Sequence, residues 1–362
     1  MKIAFKILSL ALALVLASSA LAACKNADEN NNNNNNNNNS DEAAGEGFTI
    51  PTTTMSDETI YTEGVFKYAV YDDETAVIVE HTGDETEIVI PDKLGGYTVT
   101  TIGAGAFYEN AIVTSVTIGE NVKIIGASAF GDSPKLAKVT IPKTVWAIYP
   151  DAFTGTPWLD SNSEEFVIVG DSVLLQYNGT ASKVVIPDTV KHISDAFLGN
   201  ETIKEVVIPD SVYTVGCAAF SSSSLVRASL GKNVVLIDDS AFAYCYDLHY
   251  VNIPDSVKVI ESYAFSSCTG LNYIKLGRGV ETIGKYAFYR AAQFTYIYLP
   301  KSIKTIGDFA FEDCNFLSYV YYEGTEDEFK ALELTGTNSY LTDAKKFYNF
   351  DYSKGGIYEE QQ

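Results

Sequence analysis

The side chains that most often carry out chemistry in proteins are few and scattered in this chain. His81, His192 and His249 are its three histidines, and they lie far apart in the sequence. The sequence contains no Gly-x-Ser-x-Gly, no phosphate-binding loop ending in Gly-Lys-Ser/Thr, no His-Glu-x-x-His and no EF-hand loop. Acidic pairs such as Asp238-Asp239 fall in predicted turns, where solvated carboxylates are expected. We therefore predict no catalytic residue, no cofactor and no enzyme activity, although residue types alone leave a glycosidase-like carboxylate pair open.

Cysteine is the other residue type whose spacing could carry chemistry. The chain has five cysteines, and Cys245, Cys268 and Cys314 each follow a phenylalanine by three residues. If neighbouring repeats place Cys245 and Cys268 on adjacent strands, their Cα atoms would lie about 4.8 Å apart, within reach of a disulfide. Free buried thiols are favoured, because other repeats carry Ser133, Ser223 or Ala291 at the same position. No spacing suits a zinc site, so no metal is predicted.

Cys24 stands apart because of what precedes it. Lys2 and Lys6 come before an apolar run of residues 7–17 that is followed by small residues, the layout of a secretory signal. Residues 21–24, Leu-Ala-Ala-Cys, resemble the bacterial lipobox, which implies cleavage after residue 23 and lipidation of Cys24; ordinary secretory cleavage is the alternative. Residues 24–47, with ten consecutive asparagines, predict a flexible tether behind the anchor, although such a run can also promote aggregation.

The net charge of the chain limits the classes of molecule that it is expected to bind. Among 362 residues, 47 are Asp or Glu and 25 are Lys or Arg, which gives a net charge of −22. Nucleic-acid binding needs clustered cations, so nucleic acid is not a predicted partner. Adhesion to anionic lipid by charge is disfavoured for the same reason. A membrane contact is therefore predicted only through the lipid anchor.

An internal repeat organises most of the chain. Phenylalanine recurs at steps of 22 or 23 residues, with one step of 44, at Phe107, Phe130, Phe153, Phe197, Phe220, Phe242, Phe265, Phe288 and Phe311. Such a period indicates a solenoid whose coils bury their apolar edges only by stacking on each other. The pattern Leu-x-x-Ile-x-Leu, often followed by Pro, predicts one short strand per coil. We therefore predict about ten coils that share a parallel sheet and a spine of stacked Phe.

These apolar positions resemble the BspA-like leucine-rich repeats of bacterial surface proteins over residues 97–322. The resemblance implies a leucine-rich repeat solenoid, with a parallel sheet on one face and short turns or helical turns on the other. It also implies a role in adhesion or interaction at the cell surface. Four coils depart from the repeat at its glycine, where they carry Tyr149, Ser194, Asp238 and Glu261.

The segments around the repeats predict an insertion and two caps. The long step contains 21 additional residues, and residues 156–180 predict a hairpin, which could be a recognition element or a decoration of one coil. Residues 48–96 predict an N-terminal β cap with a hairpin around Asp72-Asp73. Residues 323–362 predict a C-terminal cap and tail, in which Thr325 and Glu328 form the capping box of a short helix.

The outward positions of the predicted strands give the candidate binding residues. The C-terminal coils carry tyrosines at these positions, and the predicted ligand face is Tyr250, Tyr273, Tyr296, Tyr298, Tyr319 and Tyr321. Tyrosine combines a broad apolar ring with a hydroxyl and is common in binding surfaces. Stacked tyrosines could equally serve to stabilise the sheet.

Together these features predict a lipid-anchored protein on the outer face of a bacterial membrane that binds an extracellular protein or glycan. A structural spacer or envelope scaffold without a dedicated ligand is the first alternative. A substrate-binding lipoprotein of an importer is the second, but importer receptors need two lobes around a cleft, which the unbroken repeat disfavours.

Overall fold

The computed structural model describes residues 59–291 and 293–351, which form a solenoid of about 12 turns. The count exceeds the predicted ten because the caps and the insertion add turns of their own. Cys24, the signal and the tether lie outside the described residues. No helix in the described part of the chain has the length and apolar character needed to cross a membrane.

Strands dominate the secondary structure, and helices are short. In chain order the elements of the N-terminal part are β1 (Tyr61–Glu63), β2 (Phe66–Val70), β3 (Thr75–His81), β4 (Glu87–Val89), β5 (Lys93–Leu94), β6 (Tyr97–Ile102), β7 (Ser115–Thr117), β8 (Ile124–Ile125), β9 (Lys138–Thr140), β10 (Ala147–Ile148), α1 (Pro157–Asp160), β11 (Phe166–Val169) and β12 (Val173–Tyr177). Those of the C-terminal part are β13 (Lys183–Val185), β14 (His192–Ile193), β15 (Glu205–Val207), β16 (Thr214–Val215), β17 (Arg227–Ser229), β18 (Leu236–Ile237), β19 (Tyr250–Asn252), β20 (Val259–Ile260), β21 (Tyr273–Lys275), β22 (Thr282–Ile283), β23 (Tyr296–Leu299), β24 (Thr305–Ile306), β25 (Tyr319–Tyr322), α2 (Glu326–Lys330), β26 (Glu333–Leu334), α3 (Ser339–Asp343) and β27 (Lys345–Phe347).

Each regular coil contributes two strands, one more than the repeat pattern predicts. The longer strands form the front sheet, in two parallel blocks: β4-β7-β9 and β13-β15-β17-β19-β21-β23-β25-β27. The two-residue strands, together with β6 and β12, form a side sheet, with β6-β8-β10 in one block and β12-β14-β16-β18-β20-β22-β24-β26 in the other. The second strand was missed because two residues are too few for an alternating apolar pattern to be visible in the sequence.

A column of stacked phenylalanines fills the interior. From Phe197 to Phe311 the ring centroids of successive coils lie 4.8–5.4 Å apart and the rings are nearly parallel. Phe265, in the middle of this column, is fully buried. Full burial of such a ring contributes roughly 1.5–3 kcal/mol in transfer terms. The column therefore supplies the contact between coils that a single coil cannot make.

The insertion divides this interior into two cores. The predicted hairpin is present, because β11 and β12 pair antiparallel. The N-terminal Phe stack ends where Trp158 packs on Phe153, with ring centroids 4.7 Å apart. The C-terminal stack begins where Tyr177 packs on Phe197 at 4.9 Å. The front sheet is also interrupted here, since β9 and β13 lie in separate blocks.

The backbone around each repeat Phe follows an unusual path, here called the turn wall. In most coils the residues two before and two after the Phe have a φ of 51–72°, as at Ser128 and Asp132 around Phe130. This left-handed conformation costs most side chains energy. Amide groups in the turn wall bond to carbonyls of the next coil, as from Phe265 N–H to Ala287 O at 2.7 Å. The turn wall thus completes the backbone hydrogen bonding of the coil.

Both ends of the solenoid are covered as the sequence predicts. At the N-terminal end β2 and β3 pair antiparallel and form the capping hairpin. At the C-terminal end the Thr325 side chain accepts from the Glu328 amide, while the Glu328 carboxylate accepts from the Thr325 amide. This capping box starts α2, which places Phe329 in the C-terminal core.

Candidate ligand-binding face

The tyrosines predicted to bind a ligand occupy equivalent positions on neighbouring strands of the front sheet. By backbone register Tyr250 pairs with Tyr273 and Tyr296 pairs with Tyr319, which gives a first column. Tyr321 follows Tyr298 in a second column. Strands are about 4.8 Å apart, so equivalent side chains repeat at that interval. We call the outward surface of β17, β19, β21, β23, β25 and β27 the aromatic strand face.

The exposure of the tyrosine side chains differs between the two columns. Tyr250 is 38% exposed and Tyr319 is 42% exposed, so both present their rings to solvent. Tyr296 and Tyr321 are half-buried. The first column is therefore the more accessible of the two.

Tyr298 corrects the prediction that every outward tyrosine is available to a ligand, because it is only 4% exposed. Its ring stacks on Tyr321 with centroids 5.2 Å apart. Phe350, which follows the last strand, packs on the Tyr298 ring at 5.2 Å and on the Tyr321 ring at 5.0 Å. The chain after β27 thus covers part of the second column.

Cations lie at both edges of the aromatic strand face. The Arg227 guanidinium lies 5.9 Å from the centre of the Tyr250 ring. Lys345, paired by register with Tyr319, places its Nζ 5.0 Å from the centre of the Phe347 ring. Such placements are cation–π contacts, which contribute about 0.5–1 kcal/mol at exposed sites.

A separate column of aromatic residues, which was not predicted, lies in the turn wall. Tyr263, Tyr286 and Phe309 each precede a repeat Phe by two residues, and their rings stack with centroids 5.0 and 5.1 Å apart. All three have a φ of 57°, a conformation that is unfavourable for bulky residues. The sequence does contain the signal, an aromatic residue at 23-residue steps two positions before Phe.

Asp238, which was expected in a solvated turn, is buried side by side with Glu261. Asp238 is 8% exposed and Glu261 is 4% exposed, and they follow Ile237 and Ile260, which pair by register. Burial raises the pKa of Asp238 to about 7. Burial, together with repulsion from Asp238, raises the pKa of Glu261 to about 8. The prediction that Asp238 is solvated was wrong. Asp238 and Glu261 both replace the repeat glycine, and the side chain at this position faces the preceding coil.

The cysteines that follow a repeat Phe by three residues bond to the backbone of the preceding coil. Cys245, Cys268 and Cys314 are free and buried. Each thiol donates to a phenylalanine carbonyl of the preceding coil, as from Cys268 Sγ to Phe242 O at 3.0 Å. Ser133 makes the same contact with Phe107 O at 3.2 Å. Burial raises the pKa of Cys245 to about 11 and that of Cys268 well above its usual value, so these thiols are poor nucleophiles.

The three histidines have separate environments. His81 stacks on Phe107 at the N-terminal end of the Phe column, with ring centroids 5.1 Å apart. His192 is buried with its Nδ1 2.9 Å from Thr214 Oγ1, and burial lowers its pKa to about 4. His249 is exposed. Within residues 59–291 and 293–351, no group of three His, Cys, Asp or Glu side chains is arranged to hold a metal ion.

The chain is similar to several bacterial proteins of known structure. A leucine rich cell surface protein from Faecalibacterium prausnitzii is 22% identical, with 78% of this chain and 99% of that chain covered and a TM-score of 0.37. A leucine-rich repeat protein from Bacteroides ovatus is 23% identical, with 80% and 70% covered and a TM-score of 0.42. The pneumococcal vaccine antigen PcpA is 17% identical, with 81% and 98% covered and a TM-score of 0.27. No curated protein matches the chain significantly.

The repeats themselves are the stronger match. Six copies of the BspA type leucine rich repeat region match residues 82–194, 170–254 and 235–339. These segments span most of the described solenoid and contain its columns of Phe, Cys and outward Tyr. The chain therefore belongs to the family of BspA type leucine rich repeat proteins.

Proposed function

We propose that this protein binds an extracellular protein or glycan through the aromatic strand face. The observation that carries the proposal is the first tyrosine column, in which Tyr250 and Tyr319 are exposed and Tyr273 and Tyr296 take the intervening strands by register. The N-terminal strands carry Ser115, Thr117, Lys138 and Thr140 at the equivalent positions. Aromatic residues are thus concentrated on one end of the front sheet, where a ligand could contact several coils at once.

The same protein is proposed to be a surface lipoprotein. Membership of the BspA type family supports a place on the bacterial surface, and the sequence of residues 1–24 supports a lipid on Cys24. Residues 24–47 would then separate the solenoid from the membrane. Labelling of growing cells with a radioactive fatty acid is expected to mark the wild type and not the Cys24→Ala variant, and equal labelling of both would contradict the anchor.

Two other functions compete with ligand binding. A structural spacer would need the tyrosines only for stability, and the contacts among Tyr298, Tyr321 and Phe350 are of that kind. An importer receptor would need two lobes around a cleft, whereas the described residues form a single solenoid of about 12 turns. Spacer function is therefore the alternative that the experiment must exclude.

The test replaces the first tyrosine column and measures both folding and binding. The variant Tyr250→Ser, Tyr273→Ser, Tyr296→Ser, Tyr319→Ser and the wild type, each as residues 24–362 with Cys24→Ser, are applied to an array of glycans and extracellular matrix proteins. Loss of capture with an unchanged circular dichroism spectrum is expected.

A matched control carries four Tyr→Ser changes away from the front sheet, at Tyr244, Tyr263 and Tyr286 in the turn wall and at Tyr246 just after it. It is expected to retain capture, because these residues lie outside the aromatic strand face. A blank array for the wild type, or a column variant that loses only thermal stability, would support the spacer instead.

A further inference from the structure

The charge on the front sheet is opposite in sign to that of the whole chain. The outward residues are the first and third of each three-residue strand, and the equivalent pairs in β23 and β25. Among the strands that the structure describes, these positions carry five cations and two carboxylates: Lys138, Lys183, Arg227, Lys275 and Lys345 against Glu87 and Glu205. The chain as a whole has nearly twice as many acidic as basic residues. The front sheet is therefore a basic strip on an acidic protein.

The difference is sharpest on the aromatic strand face. Its outward positions include Arg227, Lys275 and Lys345 and no carboxylate. The only outward carboxylate in the C-terminal block, Glu205, lies one strand before this face and pairs with Lys183 at 3.1 Å. Positive charge and tyrosine thus share one surface.

These three cations, like several others on the surface, have no carboxylate partner among the described residues. Lys67, Lys191, Lys258, Lys304 and Arg290 each form a salt bridge with a carboxylate. Arg227, Lys275 and Lys345 form none with any residue in 59–291 or 293–351. Arg227 and Lys345 lie instead over aromatic rings, so their charges remain available to an anion.

The net charge of the protein does not prevent an anion from binding here. At physiological ionic strength exposed charges are screened beyond about 8 Å. A ligand on the aromatic strand face therefore experiences the local cations more strongly than distant carboxylates. Charge complementarity of this kind selects partners and increases association rates.

The regular spacing of the tyrosines on the aromatic strand face indicates what kind of anion can bind there. Tyr250, Tyr273, Tyr296 and Tyr319 repeat the same side chain on four successive strands, at intervals of about 4.8 Å. A surface that repeats at a fixed interval matches a ligand that also repeats, and a polysaccharide has this property. Tyrosine rings can pack on sugar rings while hydroxyl groups and cations contact hydroxyl, carboxylate or sulfate groups.

We propose that the ligand of the aromatic strand face is an anionic polysaccharide, held by stacking on the tyrosine column and by charge contacts with Arg227, Lys275 and Lys345. This inference rests on the proposed function, because it names the ligand class of the same surface. Carboxylated and sulfated polymers offer the same chemistry and are distinguished only by the experiment.

The experiment is affinity electrophoresis of the soluble chain, residues 24–362 with Cys24→Ser, in native gels. The gels contain polygalacturonate, dextran sulfate, neutral dextran or polyglutamate. Both anionic polysaccharides, or one of them, are expected to retard the wild type, and neutral dextran is not. Retardation should weaken as sodium chloride is raised from 50 to 500 mM.

The diagnostic variant is Arg227→Gln, Lys275→Gln, Lys345→Gln. Loss of these three charge contacts together, two exposed and one at the half-buried Lys275, is expected to change the apparent Kd by about tenfold. The control is Lys123→Gln, Lys135→Gln, Lys143→Gln, which removes the same charge from exposed positions on N-terminal coils and is expected to bind like the wild type. Melting temperatures of all three proteins verify that they are folded.

Several results would overturn the inference. Equal retardation by neutral dextran, equal binding by the diagnostic variant, or retardation by polyglutamate alone would each exclude an anionic polysaccharide as the ligand. If no polymer binds while tyrosine-dependent capture on the array persists, this inference fails and the proposed function stands. If array capture is also absent, both fail.

Discussion

Neutralising the buried carboxyls Asp238 and Glu261 is expected to stabilise the protein at neutral and alkaline pH and to leave its stability in acid unchanged. The perturbation is the double variant Asp238→Asn, Glu261→Gln, which keeps the shape of the protonated acids. In the folded chain Asp238 accepts a hydrogen bond from the Asp239 amide at 2.7 Å, and the amide oxygen of Asn can accept the same bond. The variant therefore removes the ionisable groups with little change in packing.

The direction of the pH effect on stability depends on whether the folded or the unfolded chain binds the carboxyl protons more tightly. Burial raises the pKa of Asp238 from an ordinary 3.8 to about 7, and burial with repulsion from Asp238 raises that of Glu261 from 4.5 to about 8. Well below pH 4 both states are protonated, and the groups do not affect stability. Between about pH 4 and pH 8 the unfolded chain has released protons that the folded chain still holds, so stability falls as pH rises.

The magnitude follows from the same shifts. Each pKa unit corresponds to about 1.4 kcal/mol, so a shift of about three units would destabilise the folded state by roughly 4 kcal/mol for a single carboxyl. The two groups repel each other and titrate as a pair, so their effects do not add fully. We expect the double variant to exceed the wild type by at least about 4 kcal/mol in the free energy of unfolding at pH 8.

The assay is urea denaturation followed by circular dichroism at pH values from 4 to 8.5. The measured quantity is the difference in unfolding free energy between variant and wild type at each pH. Asp188→Asn, Glu201→Gln removes two exposed carboxylates and controls for the change in net charge. A difference that is constant across this range, or one that the control reproduces, would refute the reasoning.

Three further predictions concern packing. Phe265→Ala, in the middle of the continuous Phe column, should reduce the unfolding free energy by about 3–5 kcal/mol through the cavity it leaves, and denaturation would reveal a smaller loss if the column were not central to stability. Cys268→Ser should change stability little because serine can donate to Phe242 O, whereas Cys268→Val should cost about 0.5–1.5 kcal/mol by removing one of the two hydrogen bonds to that carbonyl, which also accepts from the Cys245 amide; equal melting temperatures would argue against the thiol bond. Phe350→Ala should expose Tyr298 and raise its rate of iodination, measured by peptide mass spectrometry, and an unchanged rate would contradict its covering role.

The coil architecture could be predicted from the sequence because stacking fixes a position in every repeat. Phe265 must contact the equivalent residue in the next coil, so its spacing is constrained to about one coil length. The capping box at Thr325 was predictable for a similar reason, since its hydrogen bonds join residues three apart. Features that recur in every repeat, or that join residues close in the sequence, can therefore be predicted from the sequence.

The features that could not be predicted depend on contacts that the other coils do not share. Tyr298 has the same outward position as exposed residues of other coils, and only the return of Phe350 across the sheet buries it. Asp238 has the sequence context of a turn, but its side chain replaces a glycine at a position that faces the preceding coil. At Gly216, the equivalent position one coil earlier, a Cβ would lie 2.3 Å from Ile193 O. The sequence alone does not show how closely this position approaches the preceding coil.

The division of the interior at the insertion has a consequence for how the molecule loses its structure. In a repeat array, stability is approximately the sum of contributions from each coil and from each contact between neighbouring coils. At the junction, the contact of Phe153 with Phe197 is replaced by contacts with Trp158 and Tyr177, and the front sheet is interrupted. The two halves are thus coupled less tightly to each other than the coils are within each half. Unfolding should accordingly populate an intermediate in which one half is folded and the other is not, so that loss of one end need not spread to the surface that carries the tyrosines.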